Sequence, residues 1–339
     1  MNSKEYFSLK FENDELIFLD QTKLPLEEIY HATSDYERIA NAIERLEIRG
    51  APAIGIAAAY ALALATKNVK KESINNTFAS AFERLKNTRP TAVNLFFSLN
   101  ELKNVYQNSD ASNDIYNLLL SKAIDIHNDD VKKCESIGKN GLKIFNKKSI
   151  VLTHCNTGKL ATGGEGTAFN IIKQAYKKDL VEFVYADETR PLLQGSRLTA
   201  FEFEKEGIPF AVQTDSSAAS LFSAGKIDIV IVGADRIASN GDIANKIGTY
   251  NLAVLCSFHN VPFYIAAPTT TIDKNIKTGN DIKIEYRKSE ELFNINGQKI
   301  IPNKFNTYTP AFDVTPSNLI KGIITEEKIC EYPYNFSNE

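Results

Sequence analysis

The sequence predicts an α/β fold: a small, mainly helical N-terminal domain followed by a Rossmann-like, doubly wound C-terminal domain with a mostly parallel sheet. Two observations predict it. Up to about residue 130, apolar residues recur at helical spacing. Beyond residue 149, short β-branched runs alternate with helical stretches, the signature of βαβ units. At 339 residues the chain exceeds one comfortable core, which favours two domains. We divide it into a helical domain over 1–130, a connecting helix over 131–148 and a Rossmann-like domain over 149–339 that carries the chemistry.

The elements follow in order. A β-like start spans 6–18. Helices are expected over 35–46, 52–66, 72–87, 92–106 and from Ser112 onward. The apolar run AIGIAAAYALALA, residues 53–65, is too short and too rich in alanine to span a bilayer and reads as a close-packed core helix. Strands are expected over 149–153, 182–186, 209–213, 228–232 and 262–266, the apolar runs of a buried parallel sheet. Residues 294–305 read as a surface hairpin turning at Asn296-Gly297.

Composition excludes several classes. A net charge of -3 offers no electrostatic footprint for nucleic acid or an acidic membrane. The cysteines, at 134, 155, 256 and 330, are scattered without a CxxC pair, which argues against zinc-finger and thioredoxin-like readings and for a reducing cytoplasm. The first residues, MNSKEYFSLKFEND, hold no apolar signal core, so a cytoplasmic protein is expected.

Residues 149–168, SIVLTHCNTGKLATGGEGTA, carry the strongest chemical signal. A buried strand ends on His-Cys-Asn and runs into glycines and a helix. In open α/β sheets ligands bind beyond the carboxyl ends of the strands, which makes Cys155 a catalytic candidate. A second strand over 228–232 ends near Asp235, followed by a polar loop carrying Asn245 and Lys246. Parallel strands deliver their carboxyl ends to one edge, so a thiol and a carboxylate would face one pocket and could move protons. In Ile48-Arg49-Gly50-Ala51-Pro52, proline sits where a helix begins. Backbone N–H groups there stand open to an anion beside a guanidinium. Arg89-Pro90-Thr91 repeats this more weakly.

Other motifs fail. Leu160 follows Gly158-Lys159, so there is no phosphate loop, and the glycines at 163, 164 and 166 do not fit the dinucleotide fingerprint. Asp187 and Glu188 lack nearby histidine spacing and read as loop and ion-pair residues, not metal ligands. His154 and Cys155 are adjacent on a strand, which sends their side chains to opposite faces and leaves a Cys-His nucleophilic pair unsupported.

Taken together, the segments RGAPAIG (49–55), THCNTG (153–158), ADETRPLLQGSRLTA (186–200), GADRIASNGDIANKIGTY (233–250) and PFYIAAPTTTID (262–273) resemble the S-methyl-5-thioribose-1-phosphate isomerase family across nearly the whole chain. That family is related to the regulatory subunits of the eukaryotic translation-initiation exchange factor. The resemblance implies an aldose–ketose isomerase of methionine salvage, with Cys155 and Asp235 as the catalytic pair. It implies substrate contacts from Arg49, Gly50, Ala51, Arg89, Gln194, Asn245 and Lys246, no cofactor or metal, and a homodimer. The partner it implies is a small sugar phosphate, with neither nucleic acid nor membrane. Ser217 stands where the family commonly has methionine. That departure keeps 5-deoxyribose 1-phosphate and ribose 1,5-bisphosphate open as substrates, and a non-catalytic sugar-phosphate-sensing subunit remains a further alternative.

Overall fold

The structure, a computed structural model, describes residues 5–89, 92–109, 114–295 and 298–338. The chain forms two units by its internal contacts: residues 1–135 with 157–166, and residues 136–156 with 167–339.

The first unit opens with strands β1 (Leu9–Glu12), β2 (Glu15–Leu19) and β3 (Tyr30–Thr33), an antiparallel sheet. Asn13 and Asp14, both at positive φ, make the two-residue turn between β1 and β2. Five helices follow: α1 (Tyr36–Glu44), α2 (Ala51–Ala65), α3 (Ile74–Lys86), α4 (Val93–Gln107) and α5 (Ile115–Gly141). Asp35 caps α1 by accepting from the Glu37 N–H. The helix expected over 53–65 is α2, buried from Ala53 to Ala65, as a helix apolar on every side must be. A Cβ at Gly55 would lie 2.6 Å from the Asn94 carbonyl oxygen, so glycine permits the close approach of α2 to α4. Ser112, the expected start of the last helix, and Pro90 and Thr91 lie outside the described residues.

Residues 157–166 complete this unit from far along the chain. The Leu160 carbonyl accepts from Ser8 Oγ at 3.1 Å and from Gln21 Nε2 at 2.7 Å. On α5, Asp130 accepts from the Gly163 N–H at 2.7 Å, and His127 lies 3.2 Å from the Gly163 carbonyl. Burial pushes the Asp130 carboxyl up to about 6.

The second unit is built on strands β4 (Ser149–His154), β5 (Val181–Asp187), β6 (Phe210–Gln213) and β7 (Ile229–Val232), continued after an excursion. That excursion is β8 (Arg236–Ala238) and β9 (Ile243–Lys246). Then come β10 (Phe263–Ala266), β11 (Ile272–Asp273), the small hairpin β12 (Asn294–Ile295) and β13 (Gln298–Lys299), β14 (Phe312–Thr315), β15 (Gly322–Ile324) and β16 (Ile329–Glu331). The hairpin's strands pair as expected, while its Asn296-Gly297 turn lies outside the described residues. The main sheet has the order β16-β15-β10-β7-β4-β5-β6, parallel except for β16.

Alternate residues of the central strands face opposite layers. Leu152, Val230 and Val232 pack with Phe222 of α8 (Ala218–Ser223) and Leu252 and Cys256 of α9 (Thr249–His259). Val151, Ile229 and Ile231 pack with Phe169 and Ile172 of α6 (Ala168–Lys177) and Phe203 of α7 (Ala200–Glu206). The sheet is therefore covered on both faces, the doubly wound arrangement expected.

One expectation is corrected. Asn245 and Lys246 are not in a polar loop but on β9, within a second sheet of order β11-β8-β9-β14. The signal for it was Asn240-Gly241, a hairpin turn between β8 and β9 with Gly241 at φ 83. β14, which pairs with β9 from Phe312↔Lys246 to Thr315↔Ile243, comes from far down the chain and had no local signal.

Candidate active site

The strand order places a topological switch point in the main sheet. From β4 the chain adds β5 and β6 on one side, then returns to lay β7 against the other side of β4 and continues outward to β10 and β15. Between two such strands, connections leave in opposite directions and a crevice opens at the carboxyl ends, where ligands bind in this architecture. Cys155 follows β4 directly and Asp235 lies three residues beyond β7. The structure thus brings both predicted catalytic residues to the same edge of neighbouring strands.

At the end of β4 the backbone turns sharply. Cys155, only 7% exposed, has φ 61, a left-handed conformation that costs a non-glycine residue about 1–3 kcal/mol and persists only where its surroundings hold it. Two buried threonines do so. Cys155 N–H donates to Thr189 Oγ1 at 2.9 Å, and that hydroxyl donates to the Asp187 carbonyl at 2.9 Å. Thr199 Oγ1 donates to the Cys155 carbonyl at 2.5 Å. The next side chain, Asn156, reaches Thr199 Oγ1 at 3.2 Å and Glu202 Oε2 at 2.5 Å through Nδ2. Because β4 ends at His154, Cys155 lies in this turn, and strand alternation does not relate the two side chains. His154 Nδ1 lies 3.0 Å from Asp187 Oδ2, both side chains fully buried. Asp187, at the carboxyl end of β5, is thus the partner of His154.

Gln194 leads into a π-helical turn, Gly195–Thr199, which delivers Thr199. Such wide turns recur at functional sites. A Cβ at Gly195 would lie 1.5 Å from the Asp187 carbonyl oxygen, so only glycine lets the turn close on β5. Gln194 is 6% exposed, and its Oε1 has no hydrogen-bond partner among the described residues. A buried orphan acceptor is costly, and a hydroxyl donor on a ligand would satisfy it.

Around Asp235 the hairpin supplies the frame. The Asp235 N–H donates to the Ala244 carbonyl at 2.9 Å, tying the end of β7 to β9. Asn245 Nδ2 donates to Thr249 Oγ1 at 2.9 Å. Lys246 Nζ donates to the Ala311 carbonyl at 3.0 Å and sits 4.3 Å from the centre of the Phe312 ring. Asp242 Oδ2 accepts from the Gly279 N–H at 2.9 Å and Oδ1 from the Ser317 N–H at 2.8 Å. These donors, with Asn240, hold the Asp242 carboxyl below its ordinary range against the opposing effect of burial.

Arg49, Gly50, Ala51 and Arg89 belong to the first unit. Gly50, at φ 91, precedes α2, and a Cβ there would lie 2.4 Å from Ala161 Cα. The N-cap residue of α2, Gly50, has no side chain to cap the helix, and Pro52 has no N–H; a helix start of this kind offers its first-turn donors to an anion. In the same unit the ligand-type atoms of Asp20, His31 and Glu47 lie within 4.8 Å of one another. Arg38 already pairs with Glu47 at 2.5 Å, and the backbone and hydroxyl of Thr22 donate to Asp20. Their chemistry is that of an ion-pair network. Sequence reasoning missed Thr189, Thr199 and Asn156, whose roles come from the fold of the π-turn over the end of β5.

A family model described as the initiation factor 2 subunit family matches residues 47–330. The chain belongs to this family. Among its members, the methylthioribose-1-phosphate isomerase of Caldicellulosiruptor saccharolyticus is 48% identical over 328 residues, covering 96% of each chain. That of Thermoanaerobacter sp. (strain X514) is 47% identical over 336 residues, covering 98% of this chain and 97% of the relative. Of solved structures, 5-methylthioribose 1-phosphate isomerase from Pyrococcus horikoshii OT3 superposes with a TM-score of 0.91 at 40% identity, covering 98% of this chain and 94% of that one. The translation initiation factor eIF-2B, subunit delta, from A. fulgidus gives a TM-score of 0.87 at 37% identity, covering 97% of each chain.

Proposed function

We propose that this member of the family is an aldose–ketose isomerase that converts S-methyl-5-thioribose 1-phosphate to S-methyl-5-thioribulose 1-phosphate. The observation that carries the reading is the emergence of Cys155 and Asp235 at the switch point between β4 and β7. The relatives' names supply the substrate.

The phosphate on C1 locks the sugar as a ring, so no free aldehyde assists the reaction. Asp235 donates a proton to the ring oxygen as its bond to C1 breaks, and later receives the proton from the C2 hydroxyl. Between these events one hydrogen moves from C2 to C1. It travels either as a proton through the Cys155 thiolate or as a hydride beside the thiol, and in both routes substrate and product are isomers. Arg49, with the N–H groups of Gly50 and Ala51, and Arg89 hold phosphate and sugar oxygens. Gln194, Asn245 and Lys246 take the remaining polar groups.

A cytoplasmic homodimer belongs to the same proposal. Tyr250, Val254 and Phe258 form a stripe at helical spacing on α9, with Phe258 79% exposed, which suits a partner of the same kind.

Proton NMR of the protein with methylthioribose 1-phosphate, beside 5-deoxyribose 1-phosphate and ribose 1,5-bisphosphate, tests the reading. Ketose formed best from the thioether supports it, and preference for either of the others reassigns the substrate. Absence of ketose from all three overturns the isomerase and leaves a non-catalytic sugar-phosphate-sensing subunit. With substrate deuterated at C2, loss of label to water identifies the proton route, and full retention is what the hydride route requires.

A further inference from the structure

We propose that His154 is an imidazolium, and that it is a positioning residue which locks the Cys155 turn to the backbone leaving β9. His154 is the last residue of β4 and its ring is fully buried. Nδ1 lies 3.0 Å from Asp187 Oδ2, and Nε2 lies 2.8 Å from the Ile247 carbonyl oxygen. A neutral imidazole has one N–H, and the ring faces two acceptors. A second proton must therefore reside on the ring or on Asp187.

Three considerations put it on the ring. Asp187 Oδ1 accepts from Gln213 Nε2 at 2.8 Å, which favours the carboxylate. Burial raises the Asp187 carboxyl and opposes charge on the ring, and the imidazole's reference pKa, about 2.5 units higher, works against that. Acidic groups act on the ring from three elements: Asp187 from β5, Asp215 after β6, and Asp313 from β14. Burial alone would favour the neutral ring, and the Asp187 carboxylate and Ile247 carbonyl outweigh it, so His154 sits above its ordinary range.

The consequence is mechanical. Ile247 follows Lys246, so one buried cation ties the residue before Cys155 to the segment carrying Asn245 and Lys246, and through Asp187 to the carbonyl that orients Thr189. Gly248 makes the approach possible: a Cβ there would lie 2.8 Å from His154 Cε1. Asp313 then accepts from the Gly248 and Tyr250 N–H groups, closing the segment onto α9.

The effect on turnover rests on the isomerase reading, whereas the protonation state does not. The test is nitrogen NMR of the full chain labelled at its four histidines, assigned with His154→Gln. Both ring nitrogens of His154 carry protons and stay unchanged between about pH 6 and 8. A bare ring nitrogen at neutral pH in the wild-type protein overturns the proposal, whatever the turnover. In Asp187→Asn the carboxylate is gone and His154 titrates into the neutral range. Its kcat then falls as pH rises while KM stays within about threefold, a limb the wild-type profile lacks. A variant profile that superimposes on the wild type, scaled by a constant, marks the pair as merely structural and overturns the positioning role.

Discussion

At the end of β4 the peptide of Cys155 is gripped from both sides by Thr189 and Thr199 in a conformation that no single contact would sustain, whereas at the end of β7 Asp235 is half-buried and its backbone is tied to β9 by the bond to Ala244. One strand end is a rigid platform made of neutral hydroxyls. The other depends on a hairpin whose anchor is a carboxylate, Asp242. A group that acts on a carbon–hydrogen bond needs its position fixed to a fraction of an ångström, while a carboxylate that serves two oxygens in turn has to reach both. The contrast in construction matches the tasks we propose for Cys155 and Asp235.

The largest expected effects fall on the reacting groups. Cys155→Ala and Asp235→Asn each lower kcat about 10²–10⁴-fold with the thermal midpoint little changed. Retention of full turnover in both would remove the mechanism. Next comes Gly195→Ala, whose methyl collides with the Asp187 carbonyl. We expect a loss of about 3 kcal/mol or more in urea unfolding, and a variant that folds normally would show that the platform yields. Thr189→Val removes the hydroxyl that bonds the Cys155 N–H and the Asp187 carbonyl, for about 1–3 kcal/mol and a drop in kcat larger than any change in KM. On the other side, Gly241→Ala strains the β8–β9 turn and presses on Tyr334, and about 1–2 kcal/mol is expected. Its effect on kcat should be the smaller of the two; the reverse order would break the comparison.

The smallest effect is a pH dependence confined to the hairpin side. Because the folded Asp242 carboxyl titrates below its unfolded range, the unfolded chain binds the proton first as pH falls. The stability it confers is complete above the unfolded value and is lost as pH drops through the folded one. Asp242→Asn should flatten that part of the acid unfolding curve, and thermal melts of both proteins across the acid range would show it.

Of the five expected strands, β4, β7 and β10 were legible as apolar runs buried on both faces, whereas β5 and the edge strand β6 are partly exposed and were legible as short β-branched runs between helical stretches. The helices of the first unit were legible from their spacing, down to the all-round burial of α2. The second sheet was not, since Asn245 and Lys246 are buried polar residues whose strand character comes from pairing with β14, sixty-odd residues later. Cys155 and Asp235 could be named as candidates because they stand where parallel strands end. Thr189, Thr199 and His154 could not be read as parts of one support, because hydroxyl and imidazole contacts depend on the π-turn and on the close pass of Gly248, which no local pattern announces.

The return of residues 157–166 to the first unit bears on how the protein is made. Leu160 bonds to Ser8 and Gln21 across separations of 152 and 139 residues, and Ala161 seats against Gly50. As the chain leaves the ribosome, these sites on the early helices and strands have emerged long before the segment that fills them. The N-terminal unit therefore cannot finish folding until β4 has been synthesised behind it. A fragment ending at residue 135 would stay incomplete however long it waited, and adding residues 157–166 in trans should raise its amide-exchange protection.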